Sequence, residues 1–463
     1  YHFKALAIRE KVLGTEHPDT ATSYNNIGVV YHKQGNYDKA LEYYFKALAI
    51  DEKVLGAEHP NTAISYNNTG AVYHKQGNYD KALEYYFKAL AIDEKVLGAE
   101  HPNTAISYNN TGQVYYNQGD YDKALGYHFK ALAIREKVLG TEHPDTATSY
   151  NNIGAVYDSK GDYDKALEYY FKALAIKEKV LGTEHPLTAT SYNNIGGVYD
   201  NKGDYDKALE YHHKALAICE KILGTEHPDT AQSYNNIGAV YVDTGDYDKA
   251  LEYYFKALAI EEKVLGTEHP DTTISYYNIG GVYDSKGDYD KALEYYFKAL
   301  AIEEKVLGTE HPDTAISYNN IGGVYDSKGD NDKALEYYFK ALAIYEKVLG
   351  TEHPDAAISY NNIGYVYHNK GDYDKALEYY FKALAIKEKA LGTEHPDTAT
   401  SYNNIGAVYR TQGDYDKALE YYHKALEILK ICLPAGHKHI VLVEEKIEYI
   451  ESLLEERNAT SKE

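Results

Sequence analysis

The sequence has no methionine and no tryptophan, only two cysteines, nine phenylalanines and eleven prolines among 463 residues. Each shortage excludes something. Cys219 and Cys432 cannot build a disulfide framework, and about five sequence periods separate them. If successive repeats stack roughly 8–10 Å apart, the pair lies far beyond the ~7 Å between Cα atoms that a disulfide allows. Both are expected to be free thiols of a reducing compartment, which places the chain in the cytoplasm. Long apolar runs are missing too: stretches such as Ala5 to Ile8 and Ile440 to Val443 fall well short of the ~20 residues that span a bilayer. Positive charge is scarce, with 48 basic against 71 acidic residues and a formal charge of −23. Binding to nucleic acid or to an anionic membrane needs clustered Lys and Arg, so neither is expected. A chain without methionine that opens at Tyr1 inside a repeated segment is expected to be a piece of a longer product, with any targeting signal or upstream domain outside it.

Tyrosine is abundant, at 53 residues. The excess comes from an internal repeat. Pro18, Pro60, Pro102, Pro144, Pro186, Pro228, Pro270, Pro312, Pro354 and Pro396 follow one another every 42 residues without insertion or deletion, and the chain is close to eleven such periods long. Two glycine columns, starting at Gly14 and Gly35, share the period and divide each repeat into two helical segments. Proline suits the first turn of helix A, where its missing N–H costs nothing, and Gly35 supplies a left-handed residue at the helix end. Asn36, or Asp120 two repeats on, can cap helix B. Helix B is expected from Tyr37 to Leu55, closed by Gly56.

At about 100° per residue, helix A separates into two faces. Tyr24, Ile27, Gly28 and Tyr31 share one, and they hardly change among the ten copies apart from Thr69 and Thr111 in place of Ile. The other carries Thr22, Asn25, Asn26, Val29, His32 and Lys33, and it contains nearly all the variation of helix A. Its Val29 column includes Gln113 and Tyr365, and its His32 column includes Asp158, Asp200, Asp284, Asp326 and Arg410. A packed face cannot vary in this way, so the stripe is expected to be exposed and to be the one surface on which repeats differ chemically.

The series Tyr24, Ile27, Gly28, Tyr31, Gly35, Tyr37, Ala40, Tyr44, Ala47 resembles the tetratricopeptide repeat signature in all ten complete copies. The period of 42, the long helix B, the Tyr-Asn-Asn-Ile-Gly box and the Glu-His-Pro-Asp turn resemble the kinesin light chain type of that repeat. The resemblance implies an all-α fold, a right-handed α-α superhelix of about ten helical hairpins, with helix A lining a concave groove and helix B the convex back. Residues 1–13 are then the truncated helix B of a preceding repeat, 14–433 the ten hairpins, 434–457 a degenerate repeat with a polar capping helix from about 438 to 456, and 458–463 a disordered tail. Such arrays draw stability from neighbour interfaces and need capped ends.

An unbroken asparagine ladder runs beside the variable stripe: Asn26, Asn68, Asn110, Asn152, Asn194, Asn236, Asn278, Asn320, Asn362 and Asn404. An amide both donates and accepts, and the resemblance implies that it hydrogen-bonds the backbone of an extended peptide in the groove. The alternative is a bond to a neighbouring helix or loop. Tyr277 interrupts the adjacent asparagine column. The histidine column from His17 suggests metal, but equivalent residues sit about one helix spacing apart, whereas zinc needs its nitrogens at about 2.0–2.1 Å from one centre; a turn role before proline fits better. Asp120 and Asp122 begin like a calcium loop, yet Leu125 stands where that loop needs glycine. The sequons at Asn67, Asn109 and Asn458 lack a secretory context. No phosphate loop or nucleophile elbow is present, and reactive side chains recur instead of forming a single constellation. The chain is read as neither an enzyme nor a cofactor binder.

Groove charge points to the partner. Asp158, Asp200, Asp284 and Asp326, with Asp243, mark the middle repeats, Lys33, Lys75 and Arg410 the ends, and Lys160, Lys202, Lys286 and Lys328 stand two positions beyond the acids as partial neutralisers. The expected function is a scaffold for neutral or basic extended segments of other proteins; solvated charge without selectivity is the alternative. The basic clamp for a terminal carboxylate found in chaperone-binding members is absent, and the acidic groove departs from the basic one with which kinesin light chains read acidic cargo, although a cargo adaptor stays open. An arm of a larger signalling or effector protein and a self-assembling solenoid also remain, and the oligomeric state is open.

Overall fold

Proline and histidine together start every helix A. In the computed structural model, which describes residues 1–434 and 436–460, with the side chains of residue 271 and of 456–460 outside the description, ten helices begin at the proline column, from Pro18–Lys33 to Pro396–Gln412. The preceding histidine is the N-cap: His17 Nδ1 accepts from the backbone N–H of Asp19 at 3.1 Å, and His59, His101 and His143 repeat the bond. That is the turn role expected for the column, with an imidazole nitrogen taking the place of the usual side-chain oxygen. Gly35 (φ 72°) ends helix A in the left-handed region and Gly14 (φ 94°) closes a helix B, both backbone shapes that favour glycine. Asn36 and Asp120 cap helix B by accepting from the N–H of Lys39 and Lys123.

The chain divides into two compact units, Tyr1–Val240 and Tyr241–Glu463. In the first, helix His2–Leu13 precedes the hairpin of Pro18–Lys33 and Tyr37–Val54, and further hairpins follow to Tyr205–Ile222. The helix Tyr79–Ile92 continues into a π turn, Asp93–Leu97. The second unit runs through four complete hairpins, from Pro270–Ser285 with Tyr289–Val306 to Pro396–Gln412 with Tyr415–Cys432, and ends in helix Lys438–Thr460. Helix B stops at Val54, one residue short of the expected Leu55. The final helix extends past the expected 456 to Thr460, so 458–460 of the expected tail are helical, and 461–463 lie outside the described residues. Every element among the described residues is helical. The fold is an all-α tetratricopeptide-type array of hairpins.

Within a hairpin the closest approach is Gly28 on Tyr44: a Cβ added to Gly28 would sit 2.5 Å from Tyr44 Cε1. Only a glycine lets the ring lie flat on helix A. Ala40, Ala47 and the Ile27 column complete the hairpin interior, almost fully buried. Thr69 and Thr111, which replace Ile there, donate their hydroxyls to Ser65 O and Ser107 O at 2.9 Å, so no polar atom is stranded. Between hairpins, Val72 packs on Ala40 and Tyr44 of the repeat before it. Its counterpart Val30, with only helix His2–Leu13 before it, is 37% exposed. Within the hairpin Tyr31 also stacks on Tyr43 at 5.6 Å, while aromatic side chains bridge the seams: Phe45 meets Tyr85 at 6.3 Å, and the Tyr24 hydroxyl donates to Glu10 at 2.7 Å.

Candidate functional site

The asparagine and variable columns of helix A do not stand out into solvent. Asn26 is exposed, but the other ladder residues are half-buried, as is most of the Val29 column; Val29 itself packs against the Ala40 and Tyr44 cluster. The expected exposed stripe is thus corrected for the asparagine, Val29 and His32 columns, which are mostly half-buried because helices A of adjacent repeats lie side by side and cover each other's flanks, whereas the Thr22 column and Lys33 are exposed as expected. Tyr365 remains 49% exposed, Gln113 is half-buried and donates to Asn117, and Arg410 is half-buried.

The covered flanks are joined by hydrogen bonds that span 43 residues. Asn152 Nδ2 donates to Asn109 Oδ1 at 2.7 Å, Asn194 to Asn151 at 2.8 Å and Asn404 to Asn361 at 2.9 Å. Two turns further along, His74 pairs with Asn117, Tyr116 with Ser159, and His368 with Thr411. Asn201 Nδ2 donates to Asp158 Oδ1 at 3.1 Å in the same register. Part of the ladder's donor capacity is therefore spent between repeats, while an amide that gives one N–H keeps a second and its carbonyl.

Burial pushes the carboxyl groups of Asp158, Asp284 and Asp326 above their ordinary range. The lysines two positions beyond do not neutralise them. Lys160 reaches Asp122, Lys202 reaches Asp164, Lys286 reaches Asp248 and Lys328 reaches Asp290, in each case at the start of the previous helix B. These are seams between repeats, and they leave Asp158, Asp284 and Asp326 without that counter-charge. The Asp120 and Asp122 pair is likewise occupied, by Lys123 and Lys160. Among the described residues no three His, Cys, Asp or Glu side chains gather as a metal ion would require, and no helix is long and apolar enough to cross a membrane. Cys219 and Cys432 are free thiols.

Helix B holds a second variable column that the helix-A reading missed. It runs Arg9, Asp51, Asp93, Arg135, Lys177, Cys219, Glu261, Glu303, Tyr345 and Lys387. Several of these side chains are buried against the next helix A, so chemical difference between repeats is not confined to helix A. Arg9, Asp51, Asp93, Arg135, Lys177, Cys219 and Glu303 each meet the serine fourteen residues on. Asp51 Oδ2 accepts from Ser65 Oγ at 2.7 Å, and Asn25 Nδ2 donates to the same serine at 2.9 Å. At three of the four cationic positions the cation takes the serine and a backbone carbonyl together: Arg9 bonds Asp19 O and Ser23 Oγ, Arg135 bonds Asp145 O and Ser149 Oγ, and Lys177 bonds Leu187 O and Ser191 Oγ, all within 3.2 Å. The signal was legible as variation at a fixed period, in the helix taken for the invariant back.

One node differs. At Glu303, Ser317 Oγ donates to Oε2 at 2.5 Å and the Tyr277 hydroxyl donates to Oε1 at 2.8 Å, with Tyr277 also bonded to Ser317. This is the place of the Tyr277 interruption: the phenol reaches past the asparagine position to the buried carboxylate. Burial raises the Glu303 carboxyl above its usual range. Beside it lies a cleft of about 450 Å³.

Overlapping matches to the tetratricopeptide repeat family cover residues 1–53, 24–95, 70–137, 113–179, 160–208, 187–262, 232–302, 285–347, 328–389 and 355–431. No curated protein matches the chain. Among solved structures it is similar to the putative kinesin light chain nearly identical TPR-like repeats of Podosopora anserina, with 28% identity over 45% of this chain and 98% of that one and a TM-score of 0.41. It is also similar to BtubC (BKLC) from P. vanneervenii, with 26% identity over 51% and 93% and a TM-score of 0.42, and to the apo form of RapI, with 20% identity over 62% and 98% and a TM-score of 0.46. Matched along most of its length, and built of proline-started and glycine-closed helical hairpins throughout, this chain belongs to the tetratricopeptide repeat family, whose repeats generally mediate protein–protein interaction.

Proposed function

We propose that the chain is a non-catalytic scaffold that binds extended segments of partner proteins along the helix-A columns, with a preference for neutral or basic segments. The observation that carries this reading is the combination of a periodic amide row with carboxylates left unneutralised beside it. Asn110, Asn320 and Asn362 lie outside the three described amide-to-amide bonds, and each offers a donor and an acceptor, with Asn320 and Asn362 one repeat apart and Asn110 five repeats before Asn320. Asp158, Asp284 and Asp326 are desolvated enough to have raised pKa values, so a cation brought beside them lowers the cost of their ionisation. The net charge of −23 steers basic partners toward the chain and repels acidic ones. Near identity of repeats also permits several register-shifted binding modes of one segment.

The test compares the native chain with two variants, one carrying Asp158→Asn, Asp200→Asn, Asp284→Asn and Asp326→Asn, the other Asn110→Ala, Asn320→Ala and Asn362→Ala. Partners are captured from lysate, and their bound segments are then titrated as labelled peptides by fluorescence anisotropy. At least tenfold weaker binding to both variants is expected. Undiminished binding to both assigns recognition to another surface and sinks the groove reading.

A further inference from the structure

Two side chains depart from the repeat at a single place in the chain. Thr273 stands where the other nine complete copies have alanine, and Tyr277 where the other nine have asparagine. Both line the cleft beside Glu303. The Tyr277 hydroxyl is held by Glu303 and Ser317. Thr273 is only 5% exposed, and its Oγ1 is buried with no hydrogen-bond partner among the described residues. The remaining walls are mostly aliphatic, with Ile274, Ile302, Val306 and Ile316 among them, and Asp313 adds a second acidic residue to the lining. A cleft of about 450 Å³ falls within the range of roughly 300–1,000 Å³ usual for ligand sites.

Four other repeats show that a cation fits such a node. Arg9, Arg135 and Lys177 occupy the position of Glu303 in their own repeats. Each places a cationic nitrogen on the serine fourteen residues on and the backbone carbonyl ten residues on; Lys387 reaches the same carbonyl, Asp397 O, at 3.4 Å. The equivalent acceptors at the Glu303 node are Ser317 and the carbonyl of Asp313. There the chain supplies a carboxylate instead of a cation. We propose that the cleft at Tyr277 and Glu303 is a binding site for the side chain of a lysine from a partner protein, its ammonium taking the place that Arg9, Arg135, Lys177 and Lys387 fill in their own repeats and its methylenes lying on the isoleucine walls.

The charge and shape agree with that ligand. An ammonium donates three hydrogen bonds, and the node offers Glu303 and the lone pair of Thr273. The alkyl stem is apolar and the head charged, as are the walls and the base of the cleft. A metal ion finds too few ligands here, since among the described residues no suitable group of three is present. The inference goes beyond the groove reading: this is a discrete cleft, and a ligand three residues long is enough to fill it.

The site is tested on the full chain with methyl-labelled isoleucine, titrating acetyl-Gly-Lys-Gly-amide and following the Ile274, Ile302 and Ile316 methyl resonances. Saturable shifts are expected, at least tenfold weaker for Glu303→Gln and abolished for Glu303→Lys. The latter variant is expected to fold, because Lys177 and Lys387 already occupy this position elsewhere, and it fills the site from within. Absence of shifts in the native chain overturns the proposal, as do equal shifts with the norleucine tripeptide or an unchanged titration in Glu303→Lys. Putrescine, a free diamine, serves as the competing source of an ammonium: binding more than tenfold tighter than the tripeptide overturns assignment to a protein lysine. Groove substitutions at Asp158 or Asn110 are expected to leave this titration unchanged, so failure of either reading is separable from failure of the other.

Discussion

His128 and His212 stand where eight repeats have the tyrosine that lies on the glycine of helix A. Both rings are buried against Gly112 and Gly196, and burial lowers each pKa from its ordinary value to about 4. Asn193 Oδ1 meets His212 Nδ1 at 3.0 Å, whereas His128 Nδ1 has no hydrogen-bond partner among the described residues, and Arg135 adds repulsion to its cation. The unfolded chain takes up a proton on each near pH 6.5, the folded chain only near pH 4. Stability from these sites is therefore complete above pH 6.5 and lost as the pH falls through that window. A shift of this size corresponds to something on the order of 3 kcal/mol per site at the acid end. The variant His128→Tyr/His212→Tyr restores the column, and its urea midpoint is expected to fall less than that of the native chain between pH 6.5 and pH 4. Parallel midpoint curves would show that the rings protonate within the fold. The exchange of tyrosine for histidine is plain in the sequence; that the ring position is buried followed only from the glycine opposite it.

A helix A keeps acids that weaken it. Asp158, Asp284 and Asp326 have raised pKa values through burial, so their contribution is fully favourable below the unfolded carboxylate range and is lost as the pH rises through the folded value. At pH 7 the ionised form is the disfavoured one. Replacing the three with asparagine removes that cost, and the amide oxygen can still accept from Asn201 at position 158. The triple variant is expected to melt at a higher temperature than the native chain at pH 7, with the gap closing at pH 3; an equal or lower Tm at pH 7 would mean the native acids are well solvated or paired. Helix starts, stops and the hairpin interior were legible in the sequence because Pro, Gly and the small residues act within one repeat. The destination of Lys160 was not: it passes over Asp158, two residues away, to reach Asp122 in the repeat before. A wheel of one helix contains no information on which flank the next repeat covers. For the same reason the buried column from Arg9 through Glu303 was hidden, although its variation was on view.

Along the whole chain, a strict period of 42 made the array legible without any knowledge of its partners, because each hairpin repeats the interface of the one before. Function is less legible for the same reason, since ten near copies disguise a site that depends on single departures such as Thr273 and Tyr277. The end of the array shows how the period is terminated. Helix Lys438–Thr460 buries Ile440, Val443, Ile447 and Ile450 against Ala418, Tyr422 and Ala425. Lys446 occupies the register of the asparagine ladder and donates to Asn403 Oδ1 at 2.9 Å, so a charged side chain completes the last amide row. In an array of this kind stability is close to a sum of repeat and nearest-neighbour terms. Ile450→Asp forfeits roughly 1.5–3 kcal/mol of apolar burial and adds the desolvation of an unpaired carboxylate. Hydrogen exchange is expected to show loss of protection in Lys438–Thr460 and at least a tenfold decrease in Tyr415–Cys432, while Pro18–Lys33 and Tyr37–Val54 keep theirs. A uniform decrease from the first hairpin to the last would mean that the array melts as one cooperative body, and that the terminal helix stabilises every repeat and not only its neighbour.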